Sequence, residues 1–178
     1  MLEFETGEMF QPSDEARWYE FWEGRQVGIM GEYGDEDTGR IAREMYGCFN
    51  RHDLRCAARL VAEDAEFVDV PRGMIMHGRV GMMDLLQRWI AAFPDFRVEV
   101  KNLVEADDWV TVEYYARGTQ RGWLMGHGGR VSPTGRWIEL RCCDLLQFKD
   151  GKIVAGHTYY DMATMMSQLG ITEERFAA

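Results

Sequence analysis

The sequence predicts an α+β domain, and three observations carry that expectation. Helical periodicity dominates residues 38–93, four strand-like segments fill residues 96–160, and Pro94 stands at the change from one pattern to the other. Helices grouped first and an antiparallel sheet second describe an α+β layer architecture. At 178 residues the chain suits one domain large enough to bury a core.

Residues 1–36 differ in pattern from the rest of the chain and are expected to form an appended arm, with the main domain spanning 37–178. Ser13 can cap a short helix, DEARWYEFWEGRQV, in which Trp18, Phe21, Trp22 and Arg25 recur at helical spacing. Gly28, Gly31, Gly34 and the acidic run Asp35–Asp37 then break the chain. The aromatic stripe is expected to pack on the main domain or on a partner subunit.

From Thr38 a helix places Ile41, Met45, Cys48 and Phe49 on one side with Tyr46 nearby. Asp53 caps a second helix marked by Leu54, Ala57, Ala58 and Val61. EFVDVP reads as a short strand ending at Pro71, followed by a glycine-bounded loop that carries His77. A third helix from Gly81 to Phe93 has Met82, Leu85, Leu86, Trp89 and Ile90 on its apolar stripe. The strands FRVEV, WVTVEYYARGTQ, RWIELRCCDLLQF and KIVAGHTYY come next, divided by the turn signals ADD, SPTG and KDG. Ala163–Leu169 closes the domain as a short helix with Gly170 just past its end. A sheet curving around three helices leaves a cavity between them.

Within the third long strand, Ile138, Leu140, Cys142, Asp144, Leu146 and Phe148 share one phase. Alternate strand residues face opposite ways, so Asp144 stands on the apolar face. A carboxylate there must be paired, solvated or protonated. Glu113, Arg117, Glu139 and Arg141 fall on the other face, where cross-strand ion pairs are expected.

Composition narrows the function classes. Thirty acidic against twenty basic residues give a formal charge of −10, a sign that disfavours nucleic-acid and anionic-membrane partners. No apolar run approaches a membrane span, and the acidic start MLEFETGEMF is unlike a signal peptide. Cys48, Cys56, Cys142 and Cys143 lack metal-site spacing, which suggests reduced thiols in a cytoplasmic protein. The four histidines build no ligand motif, so no metal is expected. No nucleophile elbow, P-loop or dinucleotide fingerprint is present.

GRVGMMDLLQRWIAAFPDFRVEV, ARGTQRG, SPTGRWIEL, DLLQFKDGKI and YYDMATMMSQLG occur in an order and spacing that resemble the SnoaL-like polyketide cyclases. These belong to the cone-shaped superfamily of nuclear transport factor two and the ketosteroid isomerases. The resemblance covers roughly residues 38–171 and implies a deep apolar pocket, no cofactor, acid–base chemistry and a homodimer through the outer sheet face. It also marks departures. The family aspartate on the last strand is Thr158 here, and a common histidine is Gln120. Asp144 stands where relatives often carry His or Asp.

Asp144 is therefore the leading candidate for moving a proton, with His157 or Asp69 as its partner. Tyr46 and Tyr114 could donate to a developing enolate oxygen. Trp89, Gln120, Met125, Thr158 and Tyr160 are the expected substrate contacts, with a small apolar molecule in the pocket. Strand parity allows either His157, Tyr159 and Asp161 or Thr158 and Tyr160 to face inward, and the family pattern favours Thr158. Asp161 is expected to cap the final helix. Cyclisation or isomerisation of a carbonyl compound fits best; an epoxide hydrolase or epoxide-opening cyclase, and a binding domain without chemistry, are the alternatives.

Overall fold

The computed structural model describes residues 38–126 and 129–171. The expected N-terminal arm lies outside them. Four helices and a six-stranded sheet make up the domain: α1 Thr38–Asn50, α2 Leu54–Leu60, β1 Val61–Asp69, β2 Met74–His77, α3 Gly78–Ala92, β3 Arg97–Ala106 and β4 Trp109–Thr119. A short hairpin, β5 Leu124–Gly126 and β6 Gly129–Val131, precedes β7 Trp137–Lys149, β8 Lys152–Tyr160 and α4 Met162–Leu169.

The sheet order is β2-β1-β8-β7-β4-β3. Every neighbouring pair is antiparallel except β1 with β8, which run parallel. That pair corrects the wholly antiparallel expectation: α3 and the strands from β2 to β7 separate β1 from β8, so no hairpin constrains their direction. β1 also begins at Val61, where helical spacing had suggested that α2 continues. The expected loop after Pro71 is a single 3₁₀ turn, Val70–Arg72, leading into β2.

Capping fixes the helices that bear on the site. The Thr38 hydroxyl and the Gly39 N–H each donate to Glu105 Oε2 at 2.9 Å, which places a carboxylate from β3 at the positive end of α1. The Asp53 carboxylate accepts from Cys56 N at the start of α2, and Asp161 accepts from Ala163 N at the start of α4. Gly170 ends α4 at φ 65°, a left-handed position that glycine takes without strain.

The core lies between the helices and the inner sheet face, where β4 contributes Val110, Val112 and Ala116 and β7 contributes Ile138, Leu140, Leu146 and Phe148. Gly156 on β8 lets Phe67 approach: a Cβ there would meet the Phe67 ring at 2.5 Å. On the opposite face, Arg117 pairs with Glu99 and Glu139, each at 2.5 Å, as the sequence parity implied.

Cys48 and Cys56 are bonded to each other, closing the corner between α1 and α2. This corrects the expectation of four reduced thiols, because a helical corner brings together two cysteines eight residues apart that no strand or helix spacing would pair. Cys142 and Cys143 remain free and face opposite ways. Among the described residues, no helix is long and apolar enough to cross a membrane.

Candidate active site

One cavity runs between the helical layer and the sheet and offers about 90 Å³ to the centres of water-sized groups. Met45 and Phe49 of α1 and Met82, Leu86 and Trp89 of α3 wall one side; Ala116, Ile138, Leu140 and Leu146 wall the other. The polar side chains that break this apolar lining are Asp69, Tyr114, Asp144, Thr158 and Tyr160, with the thiol of Cys142.

Asp144 sits at the centre of β7, 5% exposed. Its register partners are Val112 on β4 and Thr158 on β8, so strands on both sides hold it on the inner face. Tyr46 donates to Oδ2 at 2.7 Å and Tyr114 donates to Oδ1 at 3.1 Å. Burial disfavours the charged form and pushes the Asp144 pKa up to about 6, while hydrogen bonds from Tyr46, Thr158 and Tyr114 oppose the shift; the nearby Asp69 charge adds to it. Burial, followed by the Asp144 charge, raises both phenols well above their ordinary value, so Tyr46 and Tyr114 remain donors. Burial raises the Cys142 thiol to about 12, which keeps it protonated beside Asp144.

A second carboxylate faces the same cavity. Asp69 ends β1 in register with Thr158, the residue that also pairs Asp144. Tyr160 donates to Asp69 at 3.1 and 3.3 Å, and Arg72 contributes its backbone N–H at 3.3 Å and its Nη1 at 3.4 Å. Burial raises the Asp69 pKa and outweighs the opposing Arg72 charge. Two carboxylates therefore share one apolar enclosure, each held by tyrosine hydroxyls, with a guanidinium on Asp69 alone.

The structure thus brings Asp144, Asp69, Tyr114, Trp89, Thr158 and Tyr160 to one cavity. Tyr46 differs from the expectation. It is 2% exposed and absent from the cavity wall, so its hydroxyl is spent on Asp144 from behind and does not reach a substrate oxygen.

His157 is a correction. It pairs in register with Leu145 of β7 and Val68 of β1, and cross-strand partners share a face. That face is the one opposite Asp144, so His157 cannot exchange a proton with it directly. Gln120 is also corrected. Its amide is fully buried just after β4 and binds the loop before β7, donating to the carbonyls of Gly122 and Ser132 and accepting from the Thr134 N–H and hydroxyl. It pins that loop and does not line the cavity. Met125 lies outside the main cavity too, on β5. Asp161 caps α4, and its hydrogen bonds to Thr164 and Ala163 lower its pKa.

Arg72 is the residue that sequence reasoning missed. It is 6% exposed, a buried guanidinium paired with Asp69. The signal was in the string DVPRG: Asp69 accepts from the backbone of Arg72, with Pro71 early in the turn and Gly73 closing it at φ 59°. Such a turn folds Arg72 back beside the carboxylate three residues earlier.

Among the described residues, one group of potential metal ligands gathers: Glu44, Cys48 and Cys56, with ligand atoms within 4.8 Å of one another. The two sulfurs are bonded together, and Arg51 donates to Glu44 at 2.9 Å, so the group forms a disulfide corner away from the cavity lining.

The SnoaL-like polyketide cyclase family model matches residues 39–169. Among solved structures, the chain is 30% identical to IdmH of Streptomyces antibioticus, a candidate polyketide cyclase, over 76% of this chain and 100% of that one at a TM-score of 0.65. It is 26% identical to AclR of Streptomyces galilaeus, a candidate hydroxylase, over 74% of this chain and 80% of that one at a TM-score of 0.64. A candidate SnoaL-like polyketide cyclase from Jannaschia sp. CCS1 shares the fold at 14% identity and a TM-score of 0.69, over 80% of this chain and 99% of that one. No curated protein matches the chain. With the family model spanning most of the chain, and with helices and curved sheet arranged as in these structures, the protein belongs to the SnoaL-like polyketide cyclase family.

Proposed function

We propose that the protein is a cofactor-independent acid–base enzyme that cyclises or isomerises a small, largely apolar carbonyl compound of polyketide type. One observation carries this reading: Asp144 is buried in an apolar cavity, bridged by two tyrosine hydroxyls, with a pKa near 6. An aspartate in that state is ionised at neutral pH yet holds a proton more strongly than an ordinary one, which matches removal of an acidic C–H beside a carbonyl. Tyr114 lines the cavity and donates to Asp144 Oδ1, and once that carboxylate takes up the proton its hydroxyl would turn to the substrate oxygen that has gained charge. Asp69, starting as its neutral acid beside Tyr160, would give its own proton at the second carbon, leaving Asp144 protonated and Asp69 ionised until exchange through solvent restores both; the apolar walls would hold a flexible chain folded. His157 has no part in this scheme.

The outer sheet face, with its ion pairs around Tyr115, is proposed as the homodimer surface. Sedimentation of wild type and Arg117→Glu tests it, a monomeric wild type being the result that removes the idea.

Turnover of polyketide-like ketones and diketones by wild type and Asp144→Asn is the direct test of the chemistry. The expected result is a loss of at least about 100-fold, with a melting temperature within a few degrees of wild type. Retained turnover removes Asp144 from the mechanism.

Epoxide opening is a second reading, favoured by Arg72, the interior arginine that an Asp–Arg–Asp water site requires. Asp144, however, is held by tyrosines and not by Arg72. Incubation of an epoxide in oxygen-18 water separates the two readings, because only hydrolysis carries label into a diol.

A further inference from the structure

A second, smaller recess lies beside the main cavity. Arg72, Leu85, Arg88, Trp89, Leu124 and Met125 bound it, and it offers about 30 Å³ to the centres of water-sized groups. That is room for one compact polar group. Leu85 and Trp89 line both spaces, so the two share a wall.

The two arginines give the recess its chemistry. A guanidinium carries five N–H donors in a planar fork. Arg72 gives one from Nη1 to Asp69 at 3.4 Å and one from Nη2 to the Met125 carbonyl, and its Cζ lies 5.9 Å from the centroid of the Trp89 ring. No acceptor among the described residues holds its Nε. Arg72 also lines the recess, which brings its guanidinium to the recess wall.

Arg88 enters from α3. Leu85, Arg88 and Trp89 stand at i, i+3 and i+4 and so share one helix face. Its Nε donates to Asp84 at 2.8 Å, a half-exposed pair, and its side chain lines the recess. Asp69 and Asp84 offset one positive charge each, and both orient their arginine. The remaining surfaces are Leu, Met and the Trp89 ring.

We propose that this recess is a carboxylate subsite, so that the substrate is a keto acid whose carbonyl-bearing body occupies the main cavity and whose ionised carboxylate docks against Arg72 and Arg88. The assignment of the body rests on the acid–base function proposed for Asp144; the carboxylate assignment rests on the recess. A planar anion with two acceptor oxygens fits a forked donor, and a compact one fits the available space. Trp89, common to both spaces, would lie along the linker between the two ends of the ligand.

The test is binding to the full chain, measured by calorimetry at about pH 7.5, where a carboxylate is ionised. The probes are 4-(2-naphthyl)-4-oxobutanoate with its methyl ester, and 2-naphthoate with 2-naphthamide. Wild type is expected to bind each acid about tenfold tighter than its neutral partner, and Arg88→Met and Arg72→Lys are expected to narrow that preference. Equal affinity within each pair, no binding of either acid at millimolar concentration, or a full preference retained in both variants overturns the subsite. Arg88 is half exposed, so Arg88→Met remains a usable test if the Arg72 variant fails to fold. Asp144→Asn keeps the two ideas apart. Lost turnover with intact acid preference supports both, and intact turnover with intact preference removes only the acid–base reading. No acid preference in a chain whose turnover depends on Asp144 removes only the subsite.

Discussion

The two faces of the sheet carry carboxylates under opposite conditions. On the inner face, Asp144 is buried, accepts from the hydroxyls of Tyr46 and Tyr114, and has its pKa pushed up to about 6. On the outer face, Glu99 is exposed, accepts from Lys101 and Arg117, and has its pKa lowered by those hydrogen bonds. Arg117 also reaches Glu139, and three cations, Lys101, Arg117 and Arg141, surround the Tyr115 ring at 5.0 to 5.5 Å. A single residue step along a strand turns a side chain from one of these faces to the other. Hydrogen bonds from the two cations hold the proton off Glu99, and burial without such a cation raises the proton affinity of Asp144. The acid–base chemistry proposed for this protein would use the face where ionisation is costly.

The contrast can be broken most severely at Asp144 itself, where Asn should abolish turnover of the ketone and diketone panel. A second expectation concerns stability. Asp144 has a folded-state pKa near 6 against an unfolded value of 3.8, so the folded protein binds the proton more tightly. Its contribution to stability is fully present below pH 3.8 and is lost as pH rises through 6. The shift amounts to about 3 kcal/mol at most. Denaturant unfolding at intervals between these pH values, in wild type and Asp144→Asn, should show that component only in wild type; parallel curves would refute it.

Tyr46→Phe sharpens the comparison by removing one hydroxyl from the inner face. The Tyr46 hydrogen bond lowers the Asp144 pKa, so its loss should move the acidic limb of the pH–rate profile upward. The cost in stability should be about 1–3 kcal/mol, as for a buried acceptor losing a partner. An unmoved limb would mean that Asp144 does not govern the rate.

Arg117→Gln is the outer counterpart. It breaks two exposed ion pairs, and the expected cost is below about 1 kcal/mol and smaller still in high salt. A larger, salt-independent loss would show that the outer face is covered by a partner. That result would favour the dimer surface proposed for it.

Much of the site was legible in the sequence. Strand alternation alone put Asp144 and Cys142 on the apolar face and Glu139 and Arg141 on the other. The same parity grouped Asp69 with Phe67, and the position of Asp161 before a short helix marked it as a cap. Each inference needed only a local period or a local hydrogen bond. The resemblance to the SnoaL-like cyclases, carried by short strings in order, likewise needed no geometry.

Where the sequence left alternatives, long-range pairing chose between them. For β8, local parity permitted either His157 or Thr158 inside, and the register of β7 and β1 selected Thr158. Gln120 carried no local sign that Ser132 and Thr134 would fold back and use its amide. Arg72 became interior, Tyr46 moved behind Asp144, and Cys48 met Cys56 through turns and helix packing. The sequence by itself therefore determined which residues alternate, cap and break, because those properties depend on neighbours a few residues away. Only the tertiary structure decided which charges meet and which donors are spent, because proton affinity and hydrogen-bond supply depend on groups brought together from distant parts of the chain.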